Sequence, residues 1–347
     1  MFAITSGFIQ KYFYIVQSFL GGFIGPPYLA PLSLLIALLI FTIPLLILVT
    51  AFIYVAGWLE RKLMARMQSR HGPTYVGKYG FLQNLADLIK LLGKENIVPE
   101  KADRWLFQVS IPALIAAFVI ILVFLPLTST YVGVGTSLGL IAVFMVLSFT
   151  PLLVFLAGWA SGNKFASIGA QRSVAMLISY EAPLLLVVAS VAMLANSYSF
   201  SSIIGAQRQL WFAALMPIGF VVFLVVMLAE FERPPFDLRE ADSELIAGWL
   251  TDVSAPYYGL VLFLDYARLF TGAVLISVLF LGGYLGPAAV PPFAWLMIKV
   301  LIITIAVIAI RATLVRMRID RVLRLGWLYM TPLAVVNLLL TFVLFIH

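Results

Sequence analysis

The residues best equipped for chemistry crowd into one stretch, Glu230-Phe-Glu-Arg-Pro-Pro-Phe-Asp-Leu-Arg-Glu-Ala-Asp-Ser-Glu-Leu-Ile-Ala-Gly-Trp-Leu-Thr-Asp252. Glu230, Glu232, Asp237, Glu240, Asp242, Glu244 and Asp252 are seven of the chain's 15 acids within 23 residues, opposed only by Arg233 and Arg239. A solvated acidic face is the usual meaning of such a run. Here apolar residues interleave (Phe231, Phe236, Leu238, Leu245, Ile246, Trp249), and Pro234 and Pro235 stiffen its start. Partly buried, clustered carboxylates cannot all ionise. Some should hold protons near neutral pH and release them when a nearby charge or shape changes. If 239–249 is helical, Glu240 and Glu244 share one face.

Two more carboxylates fall inside apolar runs. Glu181, in Ser179-Tyr-Glu-Ala-Pro183, has no basic residue within a helical turn, whereas Asp265 has Arg268 three residues on and can pair with it along the helix. An acid at mid-bilayer costs on the order of 3 kcal/mol, so such residues are rarely idle. Glu181 is the better proton-path candidate, and Pro183 can open the backbone beside it to water. Other signals carry little. Gly133-Val-Gly-Thr-Ser-Leu-Gly139 lacks the spacing of a phosphate loop, and His71 sits in an Arg-His-Gly-Pro turn. With no cysteine and only His71 and His347, the chain by itself cannot ligate an iron–sulfur cluster, a zinc ion or a bis-histidine haem, so no metal site is expected.

The elements that position these groups follow from composition. Of 347 residues 63% are hydrophobic and 11% charged, which excludes an ordinary soluble enzyme, a disordered chain and a nucleic-acid binder. Runs of roughly 20 apolar residues predict about eight transmembrane helices, near 33–56, 107–127, 137–158, 174–195, 211–229, 258–281, 293–313 and 328–346. The fold class is an all-α polytopic membrane protein: an N-terminal interfacial segment (1–30), then a single transmembrane domain (31–347). Loops 57–104, 159–173, 230–257 and 311–327 carry 18 of the 22 Lys and Arg of a chain with net charge +7, which places them on the cytoplasmic side of the plasma membrane. In the first of these, Leu82, Leu85, Ile89 and Leu92 form one stripe and predict an amphipathic helix over 80–93. It either lies on the bilayer or walls a cavity, with Asp87 and Lys90 facing a ligand headgroup. Arg61, Lys62, Arg66 and Arg70 before it can anchor lipid phosphates.

The same loops carry a resemblance. Glu60-Arg-Lys-Leu-Met-Ala-Arg-Met-Gln-Ser-Arg-His-Gly-Pro73, Gly80-Phe-Leu-Gln-Asn-Leu-Ala-Asp-Leu-Ile-Lys-Leu-Leu-Gly-Lys-Glu95, Gly158-Trp-Ala-Ser-Gly-Asn-Lys164, Pro235-Phe-Asp-Leu238 and Arg311-Ala-Thr-Leu-Val-Arg-Met-Arg-Ile-Asp320 resemble the H-subunit family of respiratory complex I. The resemblance runs from about residue 33 to the C terminus. It implies a redox-inert subunit of an NADH- or deazaflavin-fed quinone oxidoreductase and proton translocase. Such a subunit binds no cofactor alone, shares a quinone or quinone-like acceptor with its neighbours, and docks iron–sulfur subunits of the peripheral arm and antiporter-like membrane subunits. Carried over, Glu60, Arg61, Asp87, Arg172, Phe236 and Arg316 would line the quinone cavity. Glu181, Glu230, Asp237, Glu240, Asp242 and Glu244 would form the proton path. The chain departs from the family pattern at Arg239-Glu-Ala-Asp242, where Pro-Glu-Ala-Glu is usual, and at Glu232, where an uncharged residue is usual. A hydrogenase-type relative that reduces no quinone, or a self-contained ion transporter using the same acids, are the alternative readings.

Overall fold

The computed structural model describes residues 4–5, 7–20, 26–240, 242–287 and 289–345; of the expected path residues, Asp242 has a side chain that lies outside that description. After a two-residue strand, β1 (Ile4–Thr5), come the helices α1 (Phe8–Leu20), α2 (Pro26–Met67), α3 (Gln83–Leu92) and α4 (Arg104–Phe124). A second short strand, β2 (Gly135–Thr136), pairs antiparallel with β1 and precedes α5 (Gly139–Ala160), α6 (Lys164–Ala195), α7 (Phe200–Ala206), α8 (Phe212–Leu215) and α9 (Pro217–Glu230). The chain closes with α10 (Asp242–Leu245), α11 (Ala255–Phe280), α12 (Pro292–Thr313), α13 (Ile319–Arg324), a π turn over Leu325–Met330 and α14 (Thr331–Phe345).

Among the described residues, seven helices are long and apolar enough to cross a membrane: Ala30–Met67, α4, α5, α6, α11, α12 and the run Ile319–Phe345. The eighth expected span, 211–229, is broken. Met216, the residue before Pro217, leaves the helical region at φ −133° and ψ 71°, and α9 restarts as a helix of 14 residues. Proline disfavours helical geometry in the residue before it, and Met216 takes a non-helical conformation instead. At 1.5 Å per residue α9 is about 21 Å long and does not reach across a core of about 30 Å.

Three loop boundaries also differ from expectation, one of them the last span, expected from 328 but part of a run that starts at Ile319. The helix expected to end at 56 runs on to Met67, because the added turns (Leu59 to Met67) consist of strong helix formers. The helix expected to start at 174 begins at Lys164, where the Asn163 Oδ1 accepts the Phe165 amide at 3.0 Å. Glu60, Arg61 and Arg172 therefore stand on helices, not loops.

α11 is the central helix, packed against α2, α4 and α12, and every residue from Leu269 to Phe280 is buried. A helix apolar on all sides belongs inside a bundle. At its C-terminal end Lys299 of α12 donates to the carbonyls of Leu281, Gly283 and Leu285 at 2.6, 2.8 and 3.0 Å. Pro183 of α6 cannot donate to the Ser179 carbonyl four residues back. That carbonyl faces Gly326, where a Cβ would collide with the Ser179 backbone and hydroxyl. The π turn packs against this opened stretch of backbone.

Candidate functional site

The acidic loop folds back onto the bundle and is held by two buried charge clusters. Glu60 of α2 centres the first. Its side chain is 3% exposed and pairs with Arg233 of the loop at 2.6 Å and with Arg311 of α12, while Tyr266 of α11 hydrogen-bonds it. The Arg233 guanidinium lies 4.7 Å over the Tyr266 ring. Burial opposes the Arg233 charge, but Glu60 and Tyr266 outweigh it and hold the guanidinium protonated more firmly than usual. Each member comes from a different element, so the cluster fastens loop, α2, α11 and α12 together.

Glu232 centres the second. One of its carboxylate oxygens pairs with Arg239 and, at 2.6 Å, with Arg268 of α11; the other accepts from Ser173 of α6 at 2.8 Å. Arg239 also donates to Asp265 of α11 at 2.8 Å and stands 3.2 Å from Glu240. The Glu240 carboxyl is pushed up to about 7: burial raises it, Arg239 opposes, and Asp265, Asp237 and Glu232 add to the rise. Asp237 is likewise raised by burial, against Arg239, Arg316 and Arg311.

From these clusters the carboxylates continue into the bundle. Glu230, buried at the end of α9, is hydrogen-bonded by Tyr180 of α6. Next in α6 is Glu181, half-buried, accepting a hydrogen bond from Ser148 of α5. Phe236 is buried in a crevice with Tyr180, Ala229 and Gly326. Outward, Glu244 pairs with Arg172 at 2.6 Å with 52% of its side chain exposed, and Arg172 holds its carboxyl below the ordinary range.

Beside this charged region lies an apolar groove. It is a cleft of about 750 Å³ between α2 and α3, lined by Ile43, Leu46, Ile47, Thr50, Ala51, Tyr54, Val55, Phe81 and Leu85. Arg61, two turns along α2 from Tyr54, pairs with Asp87 of α3 at 2.7 Å. Burial raises the Asp87 carboxyl, but hydrogen bonds from Arg61 and Gln83 prevail and leave it lower than usual. The groove is open along its length and its walls are apolar, so the apolar chain of a lipid-soluble molecule can lie along it.

Comparison with known proteins shows the family of the chain. The family model described as NADH dehydrogenase covers residues 15–342. The chain belongs to the NADH dehydrogenase family. It is 40% identical over 308 residues to the H subunit of the NADH-quinone oxidoreductase of Dehalococcoides mccartyi, covering 88% of this chain and 86% of that relative. It is 38% identical over 317 residues to the H 2 subunit of the Syntrophobacter fumaroxidans enzyme, covering 88% and 94%. With the H 2 subunit of the Geobacter sulfurreducens enzyme the identity is 41% over 293 residues, covering 81% and 88%. The resemblance read from the loop motifs is borne out.

In this NADH dehydrogenase family chain the two expected residue sets are distributed differently from the sequence reading. Of the cavity set, Arg61 and Asp87 pair beyond the groove, Glu60 is buried one to two turns along α2 from it, Phe236 is buried apart from it against α6, α9 and the π turn, and Arg172 pairs with Glu244. Arg316 acts on Asp237 and Glu244. Of the path set, Glu240 and Glu244 do not share a helical face, because 239–249 holds only the four-residue α10 and a 3-10 turn over Gly248–Leu250. Asp265 and Arg268 do not pair along α11; each takes a partner from the acidic loop. The residues that hold the site together, Glu232, Arg233, Arg239, Arg268 and Arg311, are absent from both sets. Their one signal in the sequence was the pair of departures at Glu232 and Arg239, together with a lone arginine inside an apolar run.

Proposed function

We propose that this chain is the H-type membrane subunit of a quinone-reducing, proton-translocating oxidoreductase, and that it contributes both a wall of the acceptor cavity and the first part of the coupling path. The observation that carries the reading is that one helix joins the two regions. Tyr54 lines the apolar groove, and Glu60, six residues on, anchors the acidic loop. On this reading the acceptor's apolar tail lies in the groove, with the Arg61–Asp87 pair near its head. Glu240, Asp237, Glu230 and Glu181 carry the proton inward, Asp265 being added to the set inferred from the sequence.

Iron–sulfur subunits of a peripheral arm and antiporter-like membrane subunits complete the machine, since electrons must arrive from groups this chain does not hold. The chain sits in the plasma membrane with its arginine-rich face toward the cytoplasm, and α1 lies along the opposite interface with Tyr14, Ile15 and Phe19 exposed. The test is the assembled complex in proteoliposomes, assayed for quinone reduction and internal acidification together. Leu85→Trp fills the groove and is expected to raise KM for a long-tailed quinone. Glu240→Gln is expected to lower protons moved per electron pair. Wild-type values in both variants overturn the reading.

A further inference from the structure

The last membrane-crossing run, Ile319–Phe345, is longer than the hydrocarbon needs. Its 27 residues extend about 40 Å, the thickness of a bilayer with its headgroups, whereas the hydrocarbon alone takes about 30 Å. From Leu325 on the run carries no charge and is long enough to fill that hydrocarbon, so α13 stands at headgroup level. There Val322 turns inward: it is buried, and its carbonyl accepts from the Ser179 hydroxyl of α6 at 2.9 Å. Gly326 of the π turn lies against the same serine. α13 is thereby fixed with its other side outward. On that side Arg321 and Arg324 are exposed and, among the described residues, take part in no ion pair. Trp327 and Tyr329 are exposed in the next turn. The exposed side chains that follow, among them Leu328, Val335 and Leu339, are apolar.

Guanidiniums, then aromatic rings, then an apolar face follow the order of a phospholipid read from head to tail. An arginine fork suits the oxygens of a phosphate, and Trp and Tyr settle at the boundary between headgroups and hydrocarbon. We propose that α13 and the head of α14 form a binding site for an anionic phospholipid, with Arg321 and Arg324 on its phosphate. Two other charges belong to this end of the run. Asp320, exposed beside Arg321, opposes an anion, and Arg318, exposed at the start of α13, adds to the attraction. Glu244, on which Arg316 and Arg318 act, is already paired with Arg172. Three arginines against one free aspartate leave the site cationic, so an anionic lipid is drawn more strongly than a zwitterionic one. An acidic segment of a soluble partner could meet the arginines, but not the apolar face a turn below them, which lies within the bilayer.

The site rests on the chain's crossing a membrane and not on the proposed function. Its test is photo-crosslinking of the purified complex in nanodiscs that hold equal parts phosphatidylglycerol and phosphatidylcholine. Leu328→benzoylphenylalanine places the reactive group just below the arginines, and mass spectrometry identifies what it captures. Lipid adducts are expected, with phosphatidylglycerol favoured over phosphatidylcholine by about fivefold or more. Raised salt should narrow that ratio, because the charges are exposed. Arg321→Gln combined with Arg324→Gln is expected to bring the ratio close to unity, and Asp320→Asn to widen it. Should the double variant fail to assemble, Asp320→Asn still decides. Capture of another subunit in place of lipid, equal yields of the two lipids, an unchanged ratio in the double variant or no rise in Asp320→Asn each overturn the proposal.

Discussion

Glu60 and Arg311, 251 residues apart in sequence, meet in an ion pair, buried on the Glu60 side and half-buried at Arg311, that ties the C-terminal part of α2 to that of α12. Because Arg233 binds the same carboxylate, the pair also holds the acidic loop against the bundle.

Glu60→Ala leaves two arginines without their anion. Breaking a buried pair from one side costs about 3–5 kcal/mol, whereas replacing the whole group by apolar residues costs far less. The thermal midpoint of the purified complex should fall for Glu60→Ala and recover in part for Glu60→Met combined with Arg233→Met. A single variant as stable as wild type would show the cluster to be dispensable.

For Glu240 the sign of the pH effect is fixed by the direction of its shift. The carboxyl moves from 4.5 up to about 7 on folding. Between those values the folded chain holds a proton that the unfolded chain has lost, so stability declines as pH rises through the interval and levels off above it. Glu240→Gln should flatten that slope. Melting curves at about pH 5 and about pH 8 check this, and an unchanged slope in the variant removes Glu240 from the account.

Glu244 should behave differently, although the sequence groups it with Glu240. Its pair with Arg172 is exposed, and exposed pairs contribute roughly 0–1 kcal/mol with strong salt dependence. Glu244→Gln is therefore expected to change stability little and to leave the pH slope of Glu240 in place. A double-mutant cycle with Arg172→Gln, run at low and high salt, measures the coupling directly.

Lys299 staples the turn after α11. Its ammonium satisfies three carbonyls and lies 5.2 Å from the Trp211 ring and 5.6 Å from that of Trp295. Lys299→Met leaves the carbonyls unpartnered, at about 1–3 kcal/mol for each that stays buried. Limited proteolysis should then cut 281–291 sooner than in wild type; equal rates would assign the turn's rigidity to packing alone.

What the sequence made legible was local. Apolar runs located seven of the spans, four of them (α4, α5, α11 and α12) within a few residues at both ends, and the stripe from Leu82 to Leu92 foretold α3. Seven clustered acids marked the loop that became the site. Pairing was not legible, because periodicity reports neighbours three or four residues away and says nothing about which helices pack together. Asp265 and Arg268 illustrate this: the spacing permits a pair, but two charges from the loop take both partners. The break at Pro217 was readable in principle from proline chemistry, yet hydropathy summed over a window does not register it.

The length of α2 has a mechanical meaning. At 42 residues it extends about 63 Å, twice the thickness of the hydrocarbon it crosses. Groove wall and ionic anchor stand less than two turns apart on it. On the proposed reading, a molecule seated against Tyr54 and the Glu60 anchor to Arg233 and Arg311 bear on one continuous helix, so the oily slot and the ionic fastening share a single backbone.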